Sequence, residues 1–266
     1  DVPGVRGLNL NARALYTSSQ YADGANRQEL ASWSRLDIGA SYVATIADRN
    51  KSRNGPRLEV LKCGSNPFGI HDAKKLPALV SVGLTELSLV KTQMNGEIAV
   101  NIAAELRGKG GTITTLDLSR NDTIGTALTR QRQAGDISRD YPKEFFSFLD
   151  SGTYCNVTVL NLSHCALKES GNALAKALDN NSILSELNVS HNGLAHNGLL
   201  PDAWIDVLMK HRYLTNLNLS ANGIKFEGLR KVFAALRNNK DTTMKVLKLS
   251  HNTFEDSTHN SKDLND

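Results

Sequence analysis

The chain has 266 residues, 40% of them apolar, with 31 Lys and Arg against 27 Asp and Glu for a formal charge of +4. That apolar content supports one large domain or two small ones with a real core and excludes gross disorder. The charge balance excludes a chain-wide nucleic-acid-binding polycation. With only 7 Phe, 6 Tyr and 2 Trp, the core has to be assembled from aliphatic side chains in many similar layers.

Read from the N-terminus, one eleven-residue phrase recurs. Two weak copies come first, Val5/Leu8/Leu10/Arg13/Leu15 and Trp33/Leu36/Ile38/Ser41/Val43. A basic run from Arg49 to Arg57 follows and reads as a solvated loop. Leu58/Leu61/Cys63/Asn66/Phe68 and Leu84/Leu87/Leu89/Thr92/Met94 continue the series. Ile102 and Leu106, four apart in Glu97–Arg107, predict a helix on the return leg. Gly108–Thr112 has the glycines of a phosphate loop, but it follows a helix and precedes a strand, the reverse of the order a P-loop needs. It is read as a turn.

Ile113/Leu116/Leu118/Asn121 opens the longest unit, whose extra sequence at about 125–141 carries Arg130, Arg132, Asp136, Arg139 and Asp140 without an apolar period. Insertions in repeat arrays become loops on one face, and long loops are either functional or disordered. Pro142–Asp150 reads as a helix with proline at its start. Phe145 and Leu149 face inward there, leaving Phe146 and Phe148 either to pack beneath the insertion or to anchor a partner. Val157/Leu160/Leu162/Cys165/Leu167, Leu184/Leu187/Val189/Asn192/Leu194, Leu214/Leu217/Leu219/Asn222/Ile224 and Met244/Leu247/Leu249/Asn252/Phe254 complete nine units. Their return legs show helical stripes at Leu174/Leu178, at Trp204/Ile205/Leu208 and at Phe233/Leu236. Residues 255–266 read as a polar, acidic tail or linker. Because a phrase is already under way at Val5, the chain is expected to be part of a longer protein.

The phrase L-x-x-L-x-L-x-x-N/C-x-L is that of the leucine-rich repeats. With units mostly 25 to 30 residues long, the chain resembles the ribonuclease-inhibitor-like subfamily in architecture. The resemblance implies an α/β solenoid, or horseshoe, over residues 1–254, with about nine units, a concave parallel sheet and helices on the convex side. A single strand and helix cannot bury their own apolar face, so such units stack on their neighbours. The Asn after each strand is expected to bond backbone groups that would otherwise be buried unpaired.

Residues between the inward leucines should face the concave side. One column reads Asn9, Asp37, Lys62, Ser88, Asp117, Asn161, Asn188, Asn218 and Lys248; the next runs through Ser119, Ser163, Ser190, Ser220 and Ser250. Neither holds the Trp, Tyr or Arg enriched at interface hot spots. Partner contacts are therefore expected in the charged N-terminal half, at Arg35, Asp37, Lys62, Glu86, Lys91, Asp117 and Arg120. Arg130, Arg132 and Arg139 of the insertion, with Phe146 and Phe148, complete the candidate set.

Catalysis finds no support. In Ser163-His164, Ser190-His191 and Ser250-His251, adjacent strand residues point apart and no carboxylate recurs to orient the imidazole. His164 and His191 could stack in neighbouring units, but no Cys or Asp column completes a metal site. Three cysteines are too few and too scattered for a disulfide framework and read as thiols of a reducing compartment. Three of the six glycosylation sequons, at Asn161, Asn188 and Asn218, come from the repeat template itself. The longest nearly apolar stretch, Leu76 to Leu84, falls short of the roughly 20 residues needed to span a bilayer, and no secretory leader pattern opens the chain. The expectation is a non-catalytic, cytoplasmic protein-interaction scaffold that takes no cofactor, metal or small-molecule substrate. Two architectural alternatives are leucine-rich-repeat GTPase-activating proteins of nuclear transport and the actin-regulating repeat domains of the tropomodulin and CARMIL type.

Overall fold

A computed structural model describes residues 12–17, 20–21, 29–30, 33–38, 59–66, 80, 83–94, 96–108, 111–125, 140–150 and 154–253. In the first four of these stretches, β1 (Ala12–Thr17) pairs antiparallel with β4 (Trp33–Ile38), and β2 (Gln20–Tyr21) with β3 (Glu29–Leu30). This departs from the expected array. The strand of the phrase at Trp33 is paired with Ala12–Thr17 in its own two-stranded sheet and is not a rung of the parallel sheet. Both weak phrases lack the amide at the Asn position, carrying Arg13 and Ser41 instead. The amide is what joins one rung to the next further along the chain.

The remaining seven phrases each supply a three-residue strand. β5 (Val60–Lys62), β6 (Glu86–Ser88), β7 (Thr115–Asp117), β8 (Val159–Asn161), β9 (Glu186–Asn188), β10 (Asn216–Asn218) and β11 (Val246–Lys248) form one parallel sheet in chain order. Registers are strict: Leu61, Leu87, Leu116, Leu160, Leu187, Leu217 and Leu247 align across the sheet. The six from Leu61 to Leu217 are buried.

The return legs are helical. They comprise α1 (Gly96–Leu106), α2 (Tyr141–Phe146), α3 (Gly171–Leu178), α4 (Asp202–Lys210) and α5 (Phe226–Asn238), each packed on the next. Ile98, Ile102 and Leu106 on α1, Leu174 and Leu178 on α3, and Trp204 and Leu208 on α4 are buried at the spacing that amphipathic helices require. On α5 the buried face is Gly228, Val232 and Ala235, whereas Phe233 is 55% exposed. The expected Phe233/Leu236 stripe is therefore corrected by one residue. Glycine sets that rotation, because a Cβ at Gly228 would overlap the carbonyl of Gly198 in the preceding unit.

Three polar columns stitch rung to rung. Asn121 donates from Nδ2 to the carbonyls of Leu118 in its own rung (2.9 Å) and Leu89 in the preceding one (2.8 Å). Its Oδ1 accepts from the Thr92 and Met94 amides. Asn192, Asn222 and Asn252 repeat this bridge. A second column places a hydroxyl just before the five strands β6 to β10: Thr85, Thr114, Thr158, Ser185 and Thr215 each donate to the carbonyl of the preceding rung at 3.1–3.2 Å. The third lies between helix and next strand. There Asn181 Oδ1 accepts from the Ile183 and Leu184 amides, and His211 Nδ1 takes the equivalent bonds from Tyr213 and Leu214. Asn239 donates back to the carbonyls of Leu208 and His211.

Candidate interaction surface

Because each strand is only three residues long, the face opposite the helices is built from two columns, the residues flanking each central leucine. In the first, Val60 is exposed, Glu86, Thr115 and Val159 are half-buried, and Glu186 is exposed. In the second, Lys62 is exposed and Ser88, Asp117, Asn161, Asn188 and Asn218 are half-buried. The serine column expected beside them turns inward: Ser119, Ser163, Ser190 and Ser220 are 5–9% exposed. The chain has left the strand by then. Each of these serine amides is held by the side-chain oxygen two residues back, from Asp117, Asn161, Asn188 or Asn218.

The charged half is largely paired within itself. Lys62 Nζ lies 2.9 Å from Glu86 Oε1, and that bond holds the Lys62 ammonium above its ordinary range. Asp117 accepts from the Ser119 amide and from Asn161 Nδ2 (3.1 Å). Lys91 and Arg120 are exposed at the upper edge, where the chain turns off the strand, and neither makes an ion pair among the described residues. The structure thus gathers Lys62, Glu86, Lys91, Asp117 and Arg120 on adjacent rungs of one surface.

The other candidates fall elsewhere. Arg35 and Asp37 lie on β4, opposite Leu15 and Arg13 of β1, outside the parallel sheet. Arg130, Arg132 and Arg139, like the basic run from Arg49 to Arg57, lie outside the described residues. Phe146 and Phe148 are corrected: both are fully buried, with ring centroids 4.7 and 6.1 Å from Phe145. Asp140 caps α2 and proline stands in its first turn, as expected, but a 3₁₀ turn from Ser147 to Leu149 then winds the chain more tightly. Phe148 is three residues from Phe145 and shares its face, and Phe146, about 100° round the helix, is buried as well.

His164 and His191 stack at 4.0 Å with planes 11° apart. Ring lone pairs lie in the ring plane, so parallel rings do not aim them at a common ion. Among the described residues no group of three or more His, Cys, Asp or Glu could hold a metal. Cys63, Cys155 and Cys165 are unpaired and buried, and burial pushes the Cys63 thiol to about 11 and that of Cys165 to about 12. Neither is a thiolate nucleophile near neutral pH. No helix among the described residues is long and apolar enough to cross a membrane. On the convex side a groove of about 710 Å³ lies between α2 and α3, with Asp140, Lys143, Asp150, Glu169 and Lys176 around it. Its mixed charges converge on no single chemistry.

Two features go beyond the leucine phrase, the hydroxyl column and the left-handed residue three positions past each strand of the parallel sheet. The first is visible as Thr or Ser following the first apolar position of five units. The second carries no residue signature, because Lys, Arg, His and Ala all occupy it.

A leucine-rich-repeat family model matches residues 112–127. Over 48 residues the chain is 40% identical to the ferrichrome receptor FcuA of Yersinia enterocolitica, an alignment covering 18% of this chain, and the chain spans 6% of that receptor's length. Among solved structures, the tropomodulin C-terminal domain of Caenorhabditis elegans aligns with 74% of this chain and 92% of its own, at a TM-score of 0.37 and 11% identity. Residues 59–253 thus carry seven aligned leucine-rich phrases on seven parallel strands with helical return legs and asparagine bridges between rungs, an arrangement consistent with a leucine-rich-repeat solenoid.

Proposed function

We propose that this chain is a non-catalytic protein-interaction scaffold that receives its partner on the open face of the parallel sheet. One observation carries the reading: among the described residues, helices cover the sheet on one side only. Purely parallel sheets are ordinarily covered on both faces, whereas here the second face is a surface of half-buried polar side chains flanking buried leucines. A partner's surface supplies the missing layer. Glu86, Lys91, Asp117 and Arg120 offer it charge, and Arg130, Arg132 and Arg139 of the insertion are a second contact in this reading. The strand-plus-helix units support a ribonuclease-inhibitor-like type, and the unpaired buried thiols support a reducing, intracellular compartment.

The test is affinity purification with mass spectrometry from the cells that make the protein. It compares the native chain, a Ser88→Trp variant that puts a bulky ring in the middle of the charged half, and a chain whose residues 130–140 are replaced by a Gly/Ser linker. Loss of one dominant partner with Ser88→Trp is the expected result. Retention of every partner by both variants would overturn the reading.

A further inference from the structure

Three residues beyond each strand of the parallel sheet stands a residue with left-handed backbone, and in four consecutive rungs that residue is Lys91, Arg120, His164 and His191, at φ of 55, 58, 55 and 57°. The repetition has a backbone cause. The amides of Lys91, Arg120, His164 and His191 donate to Ser119, Ser163, Ser190 and Ser220 of the next rung at 2.8–3.0 Å, which fixes the turn and throws each side chain outward. Rungs of a sheet lie about 4.8 Å apart, so the four exposed side chains form one continuous edge. Among the described residues neither of its cations makes an ion pair: Glu86 bonds Lys62, and Asp117 accepts from the Ser119 amide and Asn161.

We propose that this edge docks an acidic polypeptide segment, with its carboxylates against Lys91 and Arg120 and, on the acid side of neutrality, against the stacked His164–His191 pair. The inference rests on the open sheet face being the docking surface and names the chemistry of what docks there. Two permanent cations beside Glu86, Asp117 and Asp122 give too weak a field for a phosphate backbone, whose binding draws on many simultaneous contacts. They suit a few spaced carboxylates, which guanidinium and ammonium groups bind through charge-assisted hydrogen bonds.

The imidazole pair adds a pH dependence of definite sign. Around it stand Arg120 on the preceding rung, Asp117 and Asp122 beside Cys165, and the Lys168 stem near Gly193. Burial, the stacked His191 and Arg120 hold the His164 imidazole below its ordinary 6.5. A docked carboxylate favours the charged ring, so proton uptake accompanies docking and acid strengthens it.

The experiment is fluorescence anisotropy of the full chain with a fluorescein-labelled peptide of alternating Glu and Ser, at pH 5.5 and 7.5, with labelled oligothymidylate as the competing class. Glutamate stays largely ionised across that range, with its pKa at about 4.3. Substitution to Asn preserves the left-handed turn, which Asn tolerates, and circular dichroism checks that each variant is folded. Binding is expected to be about tenfold tighter at pH 5.5 and about tenfold weaker for Lys91→Asn/Arg120→Asn. His164→Asn/His191→Asn is expected to bind without the pH dependence. Unchanged affinity in the Lys91/Arg120 variant, pH dependence surviving in the histidine variant, or preference for oligothymidylate would overturn the proposal. Such a failure is distinct from failure of the scaffold reading, which is decided by partner capture with Ser88→Trp, a variant that leaves these four residues unchanged.

Discussion

The β10 and β11 units share the two inward leucines, the serine and the asparagine of the phrase, at 217/247, 219/249, 220/250 and 222/252, yet they are buried to different extents. Leu217 and Leu219 of the β10 unit are 1% and 0% exposed, and Asn222 is 1% exposed. Their counterparts Leu247, Leu249 and Asn252 are all half-buried, and Ser250 is exposed where Ser220 is buried. The hydrogen bonds are equivalent, Asn252 bridging to the β10 unit as Asn222 bridges to the β9 unit. A rung's burial therefore depends on packing from both sides as well as on its own phrase, which is the nearest-neighbour behaviour of a solenoid.

The largest effect should come from the leucines. Leu217→Ala is expected to cost about 2–5 kcal/mol, the range for emptying a packed aliphatic site, and Leu247→Ala about half as much because water already reaches it. Urea denaturation of the two variants measures the ratio; equal costs would break the comparison. The asparagines should follow. Asn222→Ala strands the Asn192 and Leu194 amides, while the Val189 carbonyl keeps Asn192 Nδ2, for about 2–3 kcal/mol in total given about 1–3 kcal/mol for a buried polar group left unpaired. Asn252→Ala, at a half-buried side chain whose place water can take, should cost about 1 kcal/mol.

These rungs also show what could be read in advance. Leucine spacing, the parallel sheet, the alternating helices and the bridging Asn followed from the phrase, since each is a local demand repeated at a fixed period. The burial of Phe146 did not, because it stands about 100° round the helix from Phe145 and is covered by packing that helical spacing does not announce. Nor did the turn of α5, which is set by the close approach of Gly228 to the Gly198 carbonyl. The inward Ser column failed for a third reason: strict alternation applies to a strand, and these strands end after three residues. Trp33/Leu36/Ile38 matched the phrase in apolar residues yet pairs antiparallel. Leucine spacing alone therefore does not specify a rung, and the amide that joins rungs is missing there.

Acid should weaken the fold through His211. It is 7% exposed, its Nδ1 accepts from two amides as the Asn181 oxygen does one unit earlier, and burial holds its pKa below 6.5. The unfolded imidazole binds its proton more readily than the folded one, so stability is full above about 6.5 and declines as pH falls toward the folded value. His211→Asn, which keeps an acceptor but no titrating group, should flatten the dependence of the urea midpoint between pH 7 and 5. A slope unchanged by the substitution would assign acid sensitivity elsewhere.

The hydroxyl column sets a finer scale on the same contrast. Thr215→Val removes one donor to the Ser185 carbonyl at a half-buried site and should cost about 0.5–1.5 kcal/mol. The β11 unit has Lys245 at this position and makes no such bond, which is one more way in which the terminal rung is held less firmly. Lys245→Thr in the same urea assay should gain part of what Thr215→Val loses. If the added hydroxyl can reach the Thr215 carbonyl, already the acceptor of the Lys245 and Val246 amides, the gain is limited to a shared acceptor. A gain as large as the Thr215→Val loss would mean that the hydroxyl, and not the missing neighbour, accounts for the difference between the two rungs.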